Sequence, residues 1–154
     1  REPFMKKALC LSALLALALS LAGCTQDLPP GTAGDPWGLA LTASEAGPTG
    51  CRLTYEQSGG KAAGCLQYGR AYHVEREEDG IWSALPFASG DDEVFWTLEA
   101  YEIARDSSHS VSLDWSDLYG ELLPGRYRVC KEIMDFQGPG EYDVCNYYAE
   151  FEVE

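Results

Sequence analysis

Two hydrophobic patterns divide the chain. Ala8 to Leu19 is apolar except for Ser12 and has no polar face. From Trp37 onward, apolar and polar residues alternate in short runs separated by glycine, proline and acidic turns. Alternation with period two is the mark of a half-buried strand. Leu39, Leu41 and Ala43 alternate with Ala40 and Thr42, and Cys51, Leu53 and Tyr55 alternate with Arg52, Thr54 and Glu56. Tyr72 and Val74 start a strand that ends at Glu77-Glu78-Asp79-Gly80, where Asp-Gly predicts a tight hairpin into Ile81–Leu85. Val94–Ile103 reads as a longer strand, and Val111, Leu113 and Trp115 as another. Ser116–Leu122 reads as a helical turn. Tyr127–Ile133 and Val144–Val153 read as the last two strands, joined through Gln137-Gly138-Pro139-Gly140. About eight strands at a spacing of roughly ten residues predict an all-β sandwich or barrel.

Leu122-Leu123-Pro124-Gly125-Arg126-Tyr127 favours the sandwich. A Pro-Gly turn followed by a tyrosine entering the penultimate strand is the pattern of a tyrosine corner, a feature of immunoglobulin-type domains. The expected fold is an immunoglobulin-like antiparallel β-sandwich of about 7–9 strands, with Trp82, Trp96 and Trp115 as candidates for the core between the sheets. Tyr68-Gly69, Tyr72-x-Val74-Glu75, Asp79-Gly80-Ile81-Trp82, Leu123 to Arg128 and Tyr148-x-Glu150-Phe151, taken in order, resemble the bacterial Ig-like domains of Firmicutes lipoproteins and other surface proteins. The resemblance implies a fold and an address but hands over no functional residues.

The N-terminal run supplies the address. Lys6 and Lys7 precede the apolar stretch, and Leu21-Ala22-Gly23-Cys24 closes it. A basic start, an apolar run and small residues before a cleavage point define a helical signal peptide. The four closing residues resemble the bacterial lipobox, which implies a diacylglyceryl group on the Cys24 thiol, palmitate labelling, and an anchor on the extracytoplasmic face of the cell membrane. The stretch is shorter than the roughly 18–20 apolar residues a spanning helix needs. Thr25–Pro36 contains Pro29, Pro30, Gly31, Gly34 and Pro36 and reads as a linker. The expected organisation is a signal peptide over 1–23 (with 1–4 an upstream extension before Met5), a lipid-attachment site and linker over 24–36, and the sandwich over 37–154.

Charge narrows the partners. The 154 residues carry a formal net charge of −14, and removal of residues 1–23 makes the remainder more acidic. Such a surface argues against nucleic acid and against charge-driven adhesion to anionic lipid.

Cys51, Cys65, Cys130 and Cys145 follow the signal and Cys24. An oxidising compartment permits disulfides, and four cysteines allow three pairings. Tyr127 and Val129 share the inward parity, so Cys130 points outward. A bridge to the neighbouring strand is then easier than one across the sandwich. The favoured scheme is Cys130–Cys145 with Cys51–Cys65; the rival is Cys51–Cys130 with Cys65–Cys145. No C-x₂-C pair is present, which argues against a zinc site, and no metal or other cofactor is expected.

Catalytic chemistry finds little support. Ser107-Ser108-His109-Ser110 reads as a polar turn, and His73 as an exposed strand residue. Asp91-Asp92-Glu93 and Asp114 with Asp117 lack the spacing of a calcium loop. Glu75, Glu77 and Glu78 share a hairpin with Arg76 and read as a charged outer face. Aromatics are abundant near the end: Tyr119, Phe136, Tyr142, Tyr147 and Tyr148. Cys145, Tyr147, Ala149, Phe151 and Val153 share the core-facing parity, so Tyr148 faces out and Tyr142 lies near the loop. Exposed tyrosines suit recognition. The expectation is a non-catalytic module that binds a protein or acts as a scaffold. The alternative is a carbohydrate-binding module using Tyr142 and Tyr148.

Overall fold

The computed structural model describes residues 35–91 and 93–154. The signal peptide, Cys24 and most of the linker lie outside the described residues. The described residues form nine strands and one short helix: β1 (Leu39–Gly47), β2 (Gly50–Gln57), β3 (Cys65–Tyr68), β4 (His73–Glu78), β5 (Ile81–Ala84), β6 (Tyr101–Ile103), β7 (Ser107–Asp114), α1 (Ser116–Tyr119), β8 (Gly125–Gly138) and β9 (Glu141–Val153). Two antiparallel sheets pack face to face. The smaller has the order β1-β2-β7. The larger is built on β8, which pairs along its length with β9 on one side. On its other side β8 pairs with β4 near its start and with β3 near its end. The strands β5 and β6 extend β4 and β3 outward.

The inward positions of both sheets meet in the core. Leu39, Leu41, Leu53 and Tyr55 come from the small sheet, and Val74, Tyr127, Val129, Ile133, Ala149, Phe151 and Val153 from the large one; all are buried. Trp115, fully buried after β7, stacks on Phe151 at 5.2 Å between ring centroids, and Phe151 stacks on Tyr127 at 5.6 Å. The expected tyrosine corner is present, with the Tyr127 hydroxyl donating to the Leu123 carbonyl at 2.6 Å. The Asp79-Gly80 turn is present too, both residues having positive φ (53° and 80°), as a tight hairpin turn requires.

Four expectations about elements need correction. Cys65–Tyr68, not expected as a strand, is β3. Of Val94–Ile103, only Tyr101–Ile103 forms a strand. In the antiparallel register Tyr68 faces Tyr101, so the positions before Tyr101 would need residues 69–72 as partners. Those residues are the break between β3 and β4: β8 faces Tyr68 with Ile133 and His73 with Cys130, leaving four residues opposite only Lys131 and Glu132. Lys131 fills the break. Its buried ammonium donates to the carbonyls of Gly69 and Ala71, the latter at 2.7 Å.

Ser107–Ser110 is likewise no loop. It starts β7, and Tyr55 of β2 pairs with His109. The serines 108 and 110 face solvent while His109 stacks on Tyr55 at 5.0 Å. Finally, Trp82 is not in the core. It sits half-buried on β5, beneath two arginines on the outer face of the large sheet. Trp96 packs partly buried against the margin of the core, 5.3 Å from Tyr72.

Candidate functional site

Parity along β8 decides what the large sheet shows to solvent. Tyr127, Val129, Lys131, Ile133 and Asp135 are buried on the inner side. The alternate residues Arg126, Arg128, Cys130, Met134 and Phe136 therefore lie on the outer face, with cross-strand neighbours Glu152, Glu150, Tyr148, Val144 and Tyr142 on β9. From β4 and β5 the same face receives His73, Glu75, Glu77 and Trp82.

At one end the face is a ladder of charges and rings. Arg128 lies between two aromatics, its guanidinium carbon 3.9 Å from the centre of Tyr148 and 4.6 Å from that of Trp82. Its Nε donates to Glu75. Arg126 donates to Glu77 at 2.6 Å and to Glu150 at 2.9 Å. Cation–π contacts of this kind gain strength as water is excluded, and Arg128 is only 13% exposed. Glu75 and Glu77 are thus partners of arginines, as a charged outer face implies.

At the other end the face is apolar. Phe136 lies opposite Tyr142 and Met134 opposite Val144, near the tip of the β8–β9 hairpin. Tyr142 is 53% exposed and Val144 37%. Tyr142 and Tyr148 both lie on this outer face, but they are not equivalent. Tyr148 carries Arg128 against its ring, whereas Tyr142 is open. The other aromatics of this region turn into the fold. Tyr147 donates to Asp35 at 2.8 Å and stacks on Trp37, and Tyr119 accepts from the Val74 amide at 3.2 Å. Burial and the Asp35 carboxylate push the Tyr147 phenol well above its usual range.

Neither expected scheme is present among the described residues, where Cys51 and Cys65 are thiols, and strand parity opposes both. Residues opposite each other on neighbouring strands share a face. Cys145 faces the buried Ile133 and so points inward, while Cys130 faces Tyr148 and points outward. A Cys130–Cys145 bridge would have to pass through the sheet. Cys51 and Cys65 are both thiols. Cys51 is buried on the inner side of β2, and Cys65, opposite Phe136, lies on the outer side of β3. The rival scheme fails by the same parity, since each of its bridges joins an inward cysteine to an outward one. Burial pushes the Cys51 thiol up to about 11, which suits a core residue and not a nucleophile.

The remaining candidates are structural in their geometry. His109 Nε2 lies 3.1 Å from the Tyr68 hydroxyl, in a stack with Tyr55 and Tyr68. Asp114 accepts from the Ser116 amide at 2.9 Å and its hydroxyl at 2.6 Å, opening the turn of α1; these bonds hold its carboxyl below the usual range. Among the described residues, residue types able to hold a cation converge at one place that their separation in the sequence hides. His73, Glu75 and Cys130 meet on the outer face of β4 and β8.

Two packed antiparallel sheets, a central β8 entered through a tyrosine corner, and a Trp115–Phe151–Tyr127 stack between the layers define an immunoglobulin-type module. The chain belongs to the bacterial Ig-like domain family, whose model matches residues 36–152. No curated protein and no solved structure matches it.

Proposed function

We propose that this chain is a non-catalytic Ig-like module, held by lipid on Cys24 at the extracytoplasmic face of the cell membrane, that binds a protein partner through the outer face of its large sheet. The observation that carries the binding reading is the apolar end of that face, where Phe136, Tyr142, Met134 and Val144 lie side by side with Tyr142 53% exposed. Tyrosine and methionine are the residue types enriched where proteins meet. The lipobox at Leu21–Cys24 supports the anchor, and the family supports a surface address. The open ring of Tyr142 also favours a second reading, a carbohydrate platform. That reading is the weaker, because a sugar stacks on free ring faces and Arg128 takes one face of Tyr148.

The test is site-specific photo-cross-linking in the anchored protein. A benzophenone side chain at position 142 is expected to yield a discrete protein adduct. The same group at Ser112, exposed on the outer side of β7, is expected to yield none. Equal labelling at both positions, or none at either, would refute the assignment of the face. Glycan-array binding lost in Tyr142→Ala would move it to the second reading. Palmitate labelling that survives Cys24→Ala would remove the anchor.

A further inference from the structure

The sheet register places three unlike ligand groups together on a rigid surface. His73 on β4 and Cys130 on β8 are cross-strand neighbours, and Glu75 lies two residues beyond His73 on the same face. His73 Nε2 is 3.1 Å from Glu75 Oε1, and the imidazole nitrogen, the carboxylate oxygen and the Cys130 sulfur all lie within 4.8 Å of one another. Ligands around a four-coordinate zinc, with bonds of about 2.0–2.3 Å, stand roughly 3.3–3.8 Å apart. The His73–Glu75 separation of 3.1 Å is already close to that range, and the Cys130 sulfur lies no more than 4.8 Å from either.

The surroundings also fit a site. Glu75 is oriented by its second oxygen, which accepts from Arg128, while its first oxygen faces His73. A ligating carboxylate fixed by an outer hydrogen bond is the usual arrangement around a protein-bound metal. Arg128 is itself fixed between Trp82 and Tyr148. On the far side of Cys130 the neighbouring strand supplies Tyr148. The cluster is open towards solvent at His73, whose side chain is 41% exposed.

We propose that His73, Glu75 and Cys130 form a mononuclear site for a borderline divalent cation of the zinc class, with water in the fourth position. One sulfur, one imidazole nitrogen and one carboxylate oxygen select such a cation over magnesium or calcium, which take oxygen ligands alone. Three protein ligands with one open position differ from the closed four-ligand sets that hold folds together, so the ion would sit on the displayed face as a ligand and not as a staple. The absence of a C-x₂-C pair does not weigh against it, because the ligands come from paired strands and their spacing is set by register.

The test uses the untagged full chain, kept reduced. Zn²⁺ is titrated against a chromophoric chelator, and Co²⁺ is added as a spectroscopic substitute. The expected result is one ion per chain, with a thiolate-to-cobalt charge-transfer band. His73→Gln and Cys130→Ser are each expected to weaken binding at least about tenfold and to alter or abolish the band. Cys65→Ser, on the same face but outside the cluster, should leave both unchanged. His73→Gln changes a half-exposed side chain, so it keeps the test valid if the Cys130 variant fails to fold. The proposal is overturned if wild type takes up no zinc, if either variant binds as wild type does, if the cobalt complex lacks the thiolate band, or if mass mapping finds Cys130 in a disulfide.

Discussion

Tyr127→Phe isolates one hydrogen bond on which the entry to β8 depends. The ring is fully enclosed, 1% exposed, and phenylalanine preserves its stack on Phe151. What disappears is the 2.6 Å bond from the hydroxyl to the Leu123 carbonyl. A lost bond that strands a buried acceptor costs about 1–3 kcal/mol. The bond is only partly buried, so water reaches part of the freed carbonyl and the expected cost lies in the lower half of that range, about 1.5 kcal/mol. At about 2.1 cal/mol/K per residue, a domain of roughly 120 residues has an unfolding entropy near 0.25 kcal/mol/K, so Tm should fall by about 6 °C. Urea unfolding followed by tryptophan fluorescence measures the same quantity, and m should be unchanged because the exposed area is unchanged. Leu123→Ala, which keeps the carbonyl and removes an exposed side chain, should move stability by under about 0.5 kcal/mol. A Tyr127→Phe variant as stable as wild type would show that Pro124-Gly125 alone directs the chain into β8.

Two further outcomes follow from β8 and its packing against β3. Burial lowers the Lys131 ammonium to about 8, against roughly 10.4 in an unfolded chain. Between those values the unfolded chain holds more protons than the folded one, so stability should rise with pH from about 8 towards 10, with a slope of at most about 1.4 kcal/mol per unit. The rise should vanish in Lys131→Met; denaturant midpoints from pH 7.5 to 9.5 check this, and a wild-type curve that is flat there refutes it. Above about 10 the opposite sign takes over, because the buried phenols of Tyr55, Tyr72 and Tyr147 are raised and lose their contribution as pH climbs past their unfolded value. Gly64→Ala places a Cβ about 2.0 Å from the Phe136 carbonyl, backbone that cannot give way cheaply. A loss of about 2–3 kcal/mol is expected from thermal or urea unfolding, as for other overpacked sites, and a loss below 0.5 kcal/mol would mean that β3 is not held to β8 there.

What could be read from the residues alone was whatever is local. Asp79-Gly80 fixes its hairpin through two left-handed residues in a row, and Tyr127 marks its corner by reaching back four positions. Inward and outward parity on β9 is equally local, which is why the sequence places Tyr148 on the outer face and Tyr147 on the inner one. Features that depend on a distant partner were not legible. The four residues of β3 are too few for a periodic signal and exist because β8 offers them a register. Ser107-Ser108-His109-Ser110 looks like a loop until Tyr55, more than fifty residues earlier, provides a ring for His109 to stack on. Trp82 alternates no differently from a core residue, and only the arginines of β8 show which side it takes. The candidate site behaves the same way. Nothing near Tyr148 in the sequence announces Arg128 over its ring, and His73 and Cys130 become neighbours only through the β4–β8 register.

The two buried charges of β8 explain more of the surface than their position suggests. Asp135 accepts from the amides of Ala63 and Gly64, both at 2.7 Å, and so secures the entry to β3. Four residues earlier, Lys131 takes the carbonyls of Gly69 and Ala71 and secures the exit. An acceptor at one end and a donor at the other match the groups a strand leaves unpaired where it stops, so β3 is set between two opposite charges from one neighbour. The consequence passes outward to β6. Because the carbonyls of Gly69 and Ala71 turn inward to Lys131, they offer no ladder to the residues before Tyr101. That stretch leaves the sheet despite its strand-like composition, tied back by Arg70 and Tyr101 to Glu99 and by the packing of Trp96 on Tyr72. Phe95 and Leu98, which would have had alternate sides of a sheet to lie against, are left 98% and 105% exposed. The apolar residues displayed at this margin are therefore a product of the break that Lys131 stabilises, and a variant that healed the break would be expected to draw the segment back into the sheet.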